Sequence, residues 1–304
     1  MEGAPTALDL ALDWALGLAT DAARLLPRRA AEWLGRRAGD LAFVTTGRRR
    51  RTALANLVRA FPSLSPAERR RLCRRSYQHV GVMVMELFRM LGEPPERVLA
   101  RVSIDGAAHL DAVMRSAGRA LVLTAHLGNW EILPFAHRLT GHPLTVVVRP
   151  LDSALVNRLA TRLRARSGVE LIDKHDALRP VLTALRQGRL VGILMDQNAS
   201  RREGVFVPFF GHPASTSRSV AVLALRTGAP ILPIFIRRAP DGRHRVVIEP
   251  PLPIPETGGE AAVVELTTRC NQAIEAAILA APEQWLWVHN RWRTRPAGAR
   301  RGPD

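Results

Sequence analysis

From residue 102 onward, short apolar runs alternate with longer segments whose apolar residues recur at helical spacing. The runs are rich in Val, Ile and Leu, which is typical of strands buried on both faces of a sheet. They predict strands at residues 102–104, 120–124, 144–148, 190–195, 231–236 and 245–248. The segments between them predict helices around residues 107–116, 130–139, 155–167, 178–187, 217–227 and 261–280. This alternation predicts an α/β fold, with a central sheet flanked by helices.

The first hundred residues have apolar positions at helical spacing instead, which predicts a helical N-terminal layer on the α/β domain. Residues 8–26 are apolar apart from charged residues that fall close to one helical face, so they predict an amphipathic helix. That helix either lies in a membrane interface or packs on the domain, and both interpretations stay open. Further on, Ser65, Pro66 and Glu68 form a capping box that predicts a helix to about residue 91.

These patterns divide the chain into three parts. Residues 1–100 are predicted to be a helical region that associates with a membrane, and residues 101–293 an α/β catalytic domain. Residues 294–304 are rich in Arg, Pro and Gly, which predicts a disordered basic tail. Nowhere does a stretch reach the roughly 18 uncharged apolar residues that a transmembrane helix needs.

Charge narrows the choice of partners. The sequence has 44 Lys and Arg against 27 Asp and Glu, a formal net charge of +17, and Lys174 is its only lysine. So basic a chain favours anionic partners such as nucleic acid, anionic lipid or an acidic carrier protein, although codon composition could also produce the arginine bias. The aromatic residues do not interleave with the arginine runs as a base-stacking platform requires, which argues against nucleic acid.

The two cysteines argue against a disulfide-stabilised protein and against a cysteine-based metal site. Cys73 and Cys270 are far apart and match neither a disulfide framework nor the spacing of a metal site, so a reducing compartment fits. No cluster of His, Cys and acidic residues has ligand spacing, and we therefore predict no metal and no cofactor.

The candidate chemistry begins where the strand at 120–124 ends. His126 follows that strand, at the edge where open α/β sheets place their ligands. Inside one helix, His126 and Glu131 would lie roughly 140° apart, but they can meet if His126 is on the turn and Asn129 caps the next helix. Glu131 would then hold one imidazole nitrogen and leave the other free as a base. A strand-end histidine that merely satisfies a backbone group is the simpler alternative.

Four other positions are candidates for substrate binding. Arg149 follows a strand at the same sheet edge, and its planar fork suits a phosphate or developing oxyanion charge, or a structural salt bridge. Arg164, on the next helix, has either a structural or a substrate role. Asp196 and Gln197 also end a strand, where Asp196 would orient Arg149 or contact the acceptor.

An apolar segment follows these polar candidates. Phe209 and Phe210, in the segment 205–211, are candidates for the wall of an acyl-chain site, with plain core packing as the alternative.

The block from His126 to Glu131 resembles the His-x4-acid motif of the glycerolipid-type acyltransferases, and its Gly-Asn-Trp-Glu form resembles the late acyltransferases of lipid A biosynthesis, the lauroyl and myristoyl type. Three more blocks agree with that family in order, so the resemblance covers nearly the whole chain. They are Arg149-Pro150 with Asn157 and Arg164, Asp196-Gln197 with Val207-Pro208-Phe209-Phe210-Gly211 and Thr216, and the closing segment 283–292.

The resemblance implies a glycerolipid acyltransferase-like fold with a mixed sheet, and His126 and Glu131 as the catalytic pair. It implies an acyl-carrier protein thioester as donor, a hydroxyl of a lipid A precursor as acceptor, and the substrate-binding residues Arg149, Asn129, Arg164, Asp196, Gln197, Phe209 and Phe210. Because no serine lies in a Gly-x-Ser-x-Gly motif, direct transfer without an acyl-enzyme is favoured. The predicted location is the cytoplasmic face of the inner membrane, either peripheral or anchored by the N-terminus.

Two alternatives stay open. The same chemistry could act on another membrane lipid, for instance a phosphatidylinositol mannoside. The second alternative is a protein of a different class, which binds membrane or nucleic acid through its basic residues and has no catalytic activity. Oligomeric state and acyl chain length do not follow from the sequence.

Overall fold

The structure is a computed structural model that describes residues 7–149, 154–256, 258–296 and 298. Helices alone make up its N-terminal part, which confirms the predicted helical layer. These helices are α1 (Ala7–Leu25), α2 (Arg28–Thr45), α3 (Gly47–Ala60), α4 (Pro66–Gly92) and α5 (Pro95–Leu99). Among the described residues, no helix combines the length and the apolar composition of a membrane span.

The predicted capping box starts α4. The Ser65 hydroxyl accepts a hydrogen bond from the Glu68 backbone N–H at 3.3 Å, and the Ser65 backbone N–H donates to Glu68 Oε2 at 2.7 Å. Two of the N–H groups that a helix start leaves unpaired are thereby satisfied.

Helices α2 and α4 cross at very short range because glycines face each other. A Cβ atom on Gly39 would lie 2.3 Å from the Tyr77 carbonyl oxygen, and one on Gly81 would lie 2.0 Å from the Gly35 carbonyl oxygen. Any side chain at these positions would force the helices apart. The close contact fixes α2 on α4, and α4 in turn packs beneath the candidate site.

The rest of the chain builds the α/β domain. Its strands are β1 (Val102–Asp105), β2 (Ala120–Thr124), β3 (Leu144–Val148), β4 (Glu170–Asp173), β5 (Leu190–Leu194), β6 (Gly204–Phe209), β7 (His212–Ser217), β8 (Ile231–Arg238) and β9 (His244–Ile248). Its helices are α6 (Ala107–Ala117), α7 (Leu133–Thr140), α8 (Ala154–Ser167), α9 (Leu178–Arg186), α10 (Ser219–Thr227) and α11 (Gly259–Ala280).

Seven strands form one sheet in the order β1-β9-β8-β2-β5-β3-β4. The strands from β8 to β4 are parallel, whereas β9 is antiparallel to β8 and carries β1 beside it. The mixed sheet flanked by helices is therefore confirmed. Because parallel strands end at one edge, the residues that follow β2, β5 and β3 come together there.

Each face of the sheet has its own hydrophobic core. On one face, α9, α10, α11 and α3 cover a cluster that includes Leu121, Leu123 and Phe209. On the other face, α6, α7, α8 and the second half of α4 cover a cluster that includes Val122 and Ile234. Alternate residues of β2 thus belong to different cores, as the two-residue period of a strand requires.

Two elements differ from the prediction. The edge strand β4 was not predicted because only Ile172 of its four residues is buried, so it lacks an apolar run. Residues 204–217 form a separate antiparallel hairpin of β6 and β7, and α10 begins at Ser219 after it. The predicted disordered tail, residues 294–304, lies mostly outside the described residues.

Candidate active site

His126 and Asp196 meet at the carboxyl-terminal edge of the sheet. Strands β2 and β5 are parallel neighbours with Thr124 opposite Leu194, so both residues follow their strands by two positions. His126 Nδ1 lies 2.8 Å from Asp196 Oδ1, and the His126 backbone N–H donates to Asp196 Oδ2 at 3.0 Å. The register of the two strands therefore builds a histidine–aspartate pair from residues distant in the chain.

The Asp196 carboxylate is buried and ionised. Its Oδ2 also accepts a 2.7 Å hydrogen bond from the indole N–H of Trp285. Burial by itself would raise the pKa of Asp196, but the charge of His126 and the hydrogen bonds from His126 and Trp285 outweigh burial and lower the pKa to about 2. Since a carboxylate only accepts hydrogen bonds, Nδ1 is the ring nitrogen of His126 that donates in this pair, and Nε2 is not engaged by Asp196.

The second ring nitrogen of His126 faces a polar neighbour that a substrate can replace. Gln197 Nε2 lies 3.3 Å from His126 Nε2, and the Trp130 ring packs edge-on against the imidazole with 5.0 Å between centroids. The His126 side chain is 20% exposed, in contrast to 2% for Asp196. The imidazole is thus accessible on the Nε2 side and held from behind by the carboxylate.

The predicted pairing of His126 with Glu131 is wrong. Glu131 is buried, and both of its oxygens bind Arg164 of α8, at 3.0 Å from Nε and 2.5 Å from Nη2. The sequence argument joined His126 to the nearest acid along the chain. In the structure, the sheet register supplies Asp196 instead, and the bidentate guanidinium fork takes the Glu131 carboxylate.

A tight turn separates His126 from Glu131, and it requires a glycine. Gly128 has φ of 62°, and a Cβ there would lie 2.2 Å from the Ile236 carbonyl oxygen. The Gly128 N–H donates to the Gln284 carbonyl oxygen at 3.1 Å, which ties the turn to the C-terminal segment. Any side chain at position 128 would displace the turn that carries His126.

Asn129 does not cap the following helix with its side chain, contrary to the prediction. Its amide instead donates to Glu86 Oε2 of α4 at 3.0 Å. Asn129 is fully buried, so this hydrogen bond anchors the turn to the helical layer rather than to its own helix.

Glu86 is the centre of a buried polar network under the turn. Besides Asn129, it contacts Arg238 Nε at 3.0 Å and His244 Nε2 at 3.3 Å. Burial alone would raise the pKa of Glu86, but the hydrogen bond and charge of His244, together with Arg238, lower the pKa to about 2. A buried carboxylate with this many partners fixes the positions of α4, the sheet and the turn relative to one another.

An apolar cavity lies beside the site, between the sheet and α7. It runs from the carboxyl ends of β2 and β5 towards their amino ends, and Thr124, Trp130, Glu131 and Arg164 line it on the side of the turn. Most of the remaining wall is aliphatic and includes Val122, Leu144, Val146, Leu190, Leu194 and Ile234. A histidine held by a carboxylate is thus near an apolar cavity.

Comparison with known proteins decides the family. The family of bacterial lipid A biosynthesis acyltransferases matches residues 5–294. The chain belongs to this family.

Curated relatives have different acyl groups in their names. The chain is 32% identical to a lipid A biosynthesis lauroyltransferase of Escherichia coli over 87% of its own length and 86% of the relative. It is 29% identical to a palmitoleoyltransferase (90% and 88% covered) and 25% identical to a myristoyltransferase (87% and 80% covered), both of lipid A biosynthesis in the same organism. The predicted family is confirmed, and the protein is an O-acyltransferase.

Three other residues that were predicted to bind substrate lie at three different places around the site. Arg149 is exposed at the predicted edge, with β5 between its strand and β2. Gln197 is beside His126, and Arg164 is half-buried against Glu131. The substrate roles of these residues stay predictions.

Phe209 and Phe210 do not line the cavity. They belong to an aromatic cluster on the opposite face of the sheet, where Phe209 lies 5.8 Å from Trp285 and Phe210 lies 5.8 Å from Phe61 between ring centroids. The hairpin that carries them packs on α11, so the apolar cavity is not where the sequence prediction placed an acyl-chain wall.

Two contributors to the site were not predicted. Glu86 could have been predicted from the sequence, since a single carboxylate within an apolar helical run needs a buried partner. Trp285 lies in the closing segment 283–292, and its hydrogen bond to Asp196 depends on a contact across 89 positions of the chain.

Proposed function

We propose that this protein transfers a fatty acyl chain from an acyl-carrier protein thioester to a hydroxyl of a lipid A precursor, with His126 as the general base. The observation that carries the proposal is the His126–Asp196 pair beside an apolar cavity. The acceptor is supported by the relatives, which are lipid A biosynthesis acyltransferases by name, and the net charge of +17 suits both an acidic carrier protein and a phosphate-bearing acceptor.

In the proposed reaction, His126 Nε2 takes the proton of the acceptor hydroxyl while the oxygen attacks the thioester carbonyl carbon. A new C–O bond forms, the tetrahedral intermediate collapses, and the C–S bond breaks. The imidazolium then returns its proton to the departing thiolate. Asp196 stabilises the imidazolium between these two steps, and general-base assistance of this kind contributes about 10²- to 10⁴-fold.

The donor and the acceptor are tested together with purified protein. The dodecanoyl thioesters of acyl-carrier protein and of coenzyme A are each offered with a lipid A precursor, and mass spectrometry detects the added chain. We expect faster transfer from the carrier protein. A faster reaction with the coenzyme A thioester would contradict the proposed donor, and the absence of any acylated precursor would contradict the acceptor.

The cavity is proposed to hold the acyl chain, and Gly192 of β5 lies in its wall. A Cβ on Gly192 would lie 3.6 Å from Leu144 and 3.8 Å from Val146, so a methyl group fits at ordinary contact distance. A larger side chain would occupy space needed by the chain. We expect Gly192→Leu to lower kcat/KM for long donors relative to short ones, by roughly tenfold for each two methylenes excluded.

Two control variants separate chain length from folding. Gly192→Ala adds only the accommodated methyl and should keep the donor preference. Val191 belongs to the core on the other face of the same strand, so Val191→Leu should change stability without changing the preference. Donor chain lengths from 8 to 16 carbons, compared on each variant, would refute the assignment if Gly192→Leu kept the profile of the unchanged protein.

Association with an anionic membrane is proposed to use α2. Trp33, Leu41 and Val44 are 59%, 65% and 66% exposed, and they lie within about 80° of one another on the helix. The opposite face, which includes Gly35 and Gly39, packs on α4. One apolar face of α2 is therefore covered by α4, and the other is left exposed for contact with the apolar part of a membrane.

The charges of the same helix favour an anionic lipid surface as that phase. Three of its arginines, Arg29, Arg36 and Arg37, flank the exposed apolar residues, and each arginine near an anionic surface contributes about 1 kcal/mol. This arrangement and the proposed lipid acceptor support the predicted location at the cytoplasmic face of the inner membrane.

The double variant Trp33→Ser with Leu41→Ser should bind vesicles of anionic phospholipid at least about tenfold more weakly, because two apolar side chains no longer leave water on docking. Co-sedimentation measures the affinity. Leu279→Ser, at a similarly exposed position on α11, is the matched control and should bind as the unchanged protein does. Equal affinity of all three proteins would exclude α2 as the docking element.

A further inference from the structure

Thr124 is the last residue of β2, two positions before His126, and it lies on the cavity face of the strand with Val122. Its side chain is 5% exposed, and Oγ1 is buried without a hydrogen-bond partner among the described residues. The backbone carbonyl oxygen of Thr124 is satisfied by the Met195 N–H at 3.1 Å. The hydroxyl is therefore the one unsatisfied group of this residue.

Four other polar side chains of the cavity wall have partners. Glu131 and Arg164 bind each other, Thr140 donates to the His137 carbonyl oxygen at 2.8 Å, and His137 Nδ1 contacts the Pro134 carbonyl oxygen at 2.5 Å. A buried hydroxyl without a partner destabilises the folded state, because it loses its hydrogen bonds to water and gains none in the protein. Valine has the same shape, suits a strand at least as well and avoids this cost, so the hydroxyl needs a partner that enters the cavity.

We propose that the Thr124 hydroxyl donates a hydrogen bond to the carbonyl oxygen of the acyl group, which makes Thr124 a further catalytic residue. The inference rests on the proposed function, in which the cavity holds the acyl chain. Such a chain has one polar atom, the carbonyl oxygen, and within the described part of the wall the Thr124 hydroxyl is the one buried side-chain polar atom that has no partner. The donor lies at the end of the cavity near the His126 turn, where the reacting carbon has to be.

The hydrogen bond gains strength during the reaction. When the acceptor oxygen attacks, the C=O double bond becomes a single bond and its electron pair moves to the carbonyl oxygen. A donor already in place binds that oxyanion more strongly than the neutral carbonyl, so it lowers the barrier rather than only improving binding. Its loss should lower kcat and leave KM for the donor nearly unchanged.

Two substitutions test the proposal. We expect Thr124→Val to lower kcat by about 10²-fold, because one oxyanion donor is lost, and to keep or raise the melting temperature, because an unpaired hydroxyl is removed. Thr124→Ser keeps the hydroxyl and should keep most of the activity. If Thr124→Val turned over within twofold of the unchanged protein, or if both variants lost activity and stability equally, the proposal would be overturned.

A second measurement does not depend on turnover. A dodecanoyl analogue with CH₂ in place of the thioester sulfur keeps the carbonyl but cannot transfer it, and infrared spectroscopy reports the C=O stretch of the bound analogue. We expect a higher wavenumber in Thr124→Val than in the unchanged protein and in Thr124→Ser. An identical band in all three would contradict the proposed contact even in a protein that transfers acyl chains, whereas a shifted band without transfer would contradict only the proposed reaction.

Discussion

Substitution of His126 by alanine is expected to lower kcat by about 10²- to 10⁴-fold, because the acceptor hydroxyl then has no base to take its proton. The fold should be retained, since the side chain is partly exposed and Asp196 keeps the hydrogen bonds from the backbone N–H of residue 126 and from the Trp285 indole. Acyl transfer to the lipid acceptor under saturating donor measures the loss, and circular dichroism checks the fold.

Asp196→Asn tests whether His126 and Asp196 act together as a catalytic unit. The asparagine keeps the size of the side chain but removes the negative charge that stabilises the imidazolium, and its amide can donate to Nδ1 and so move the ring proton to Nε2. We expect a large loss of kcat in Asp196→Asn and little further loss when His126→Ala is added. Additive losses, or full activity in the His126→Ala protein, would exclude the pair as a catalytic unit.

The second large effect concerns the buried pair of Glu131 and Arg164. Arg164→Met should lower the free energy of unfolding by about 3–5 kcal/mol, because it leaves the buried Glu131 carboxylate without its partner. The side chains of the two residues are 6% and 14% exposed, so solvent screens the lost interaction only weakly. Urea unfolding of the variants, followed by tryptophan fluorescence, gives the change.

The double variant Glu131→Gln with Arg164→Met separates structure from chemistry. It replaces two charges by neutral groups, so most of the lost stability should return. We expect its activity to stay low, because both residues line the cavity at the catalytic turn and three of the five N–H groups of Arg164 are not used by Glu131. Activity that returned together with stability would make the pair a scaffold only.

Much of the sheet could be predicted because its central strands are buried on both faces. The apolar runs at 120–124 and 144–148 match β2 and β3 residue for residue, since Gly and polar residues bound them on each side. Prediction failed where burial is partial or where the hydrogen bonds are local. Strand β4 has one buried residue in four, and the hairpin of β6 and β7 pairs only with itself.

The position of His126 was predictable for a similar reason, since a turn with Gly128 follows a strong strand. Its partner was not. Glu131 is five positions away along the chain, but the backbone from Leu127 to Asn129 turns it towards α8. Asp196 is 70 positions away and arrives because β2 and β5 are parallel neighbours in register.

By itself, the sequence determined the family, the alternating elements of the domain and the residues available for chemistry, because these depend on local spacing and on the polarity of neighbouring residues. Only the tertiary structure decided which carboxylate holds His126, which face of the sheet has the apolar cavity, and that Thr124 lines this cavity. These are contacts between strands and helices that the chain brings together from far apart, so they depend on strand order and register, which no local pattern encodes.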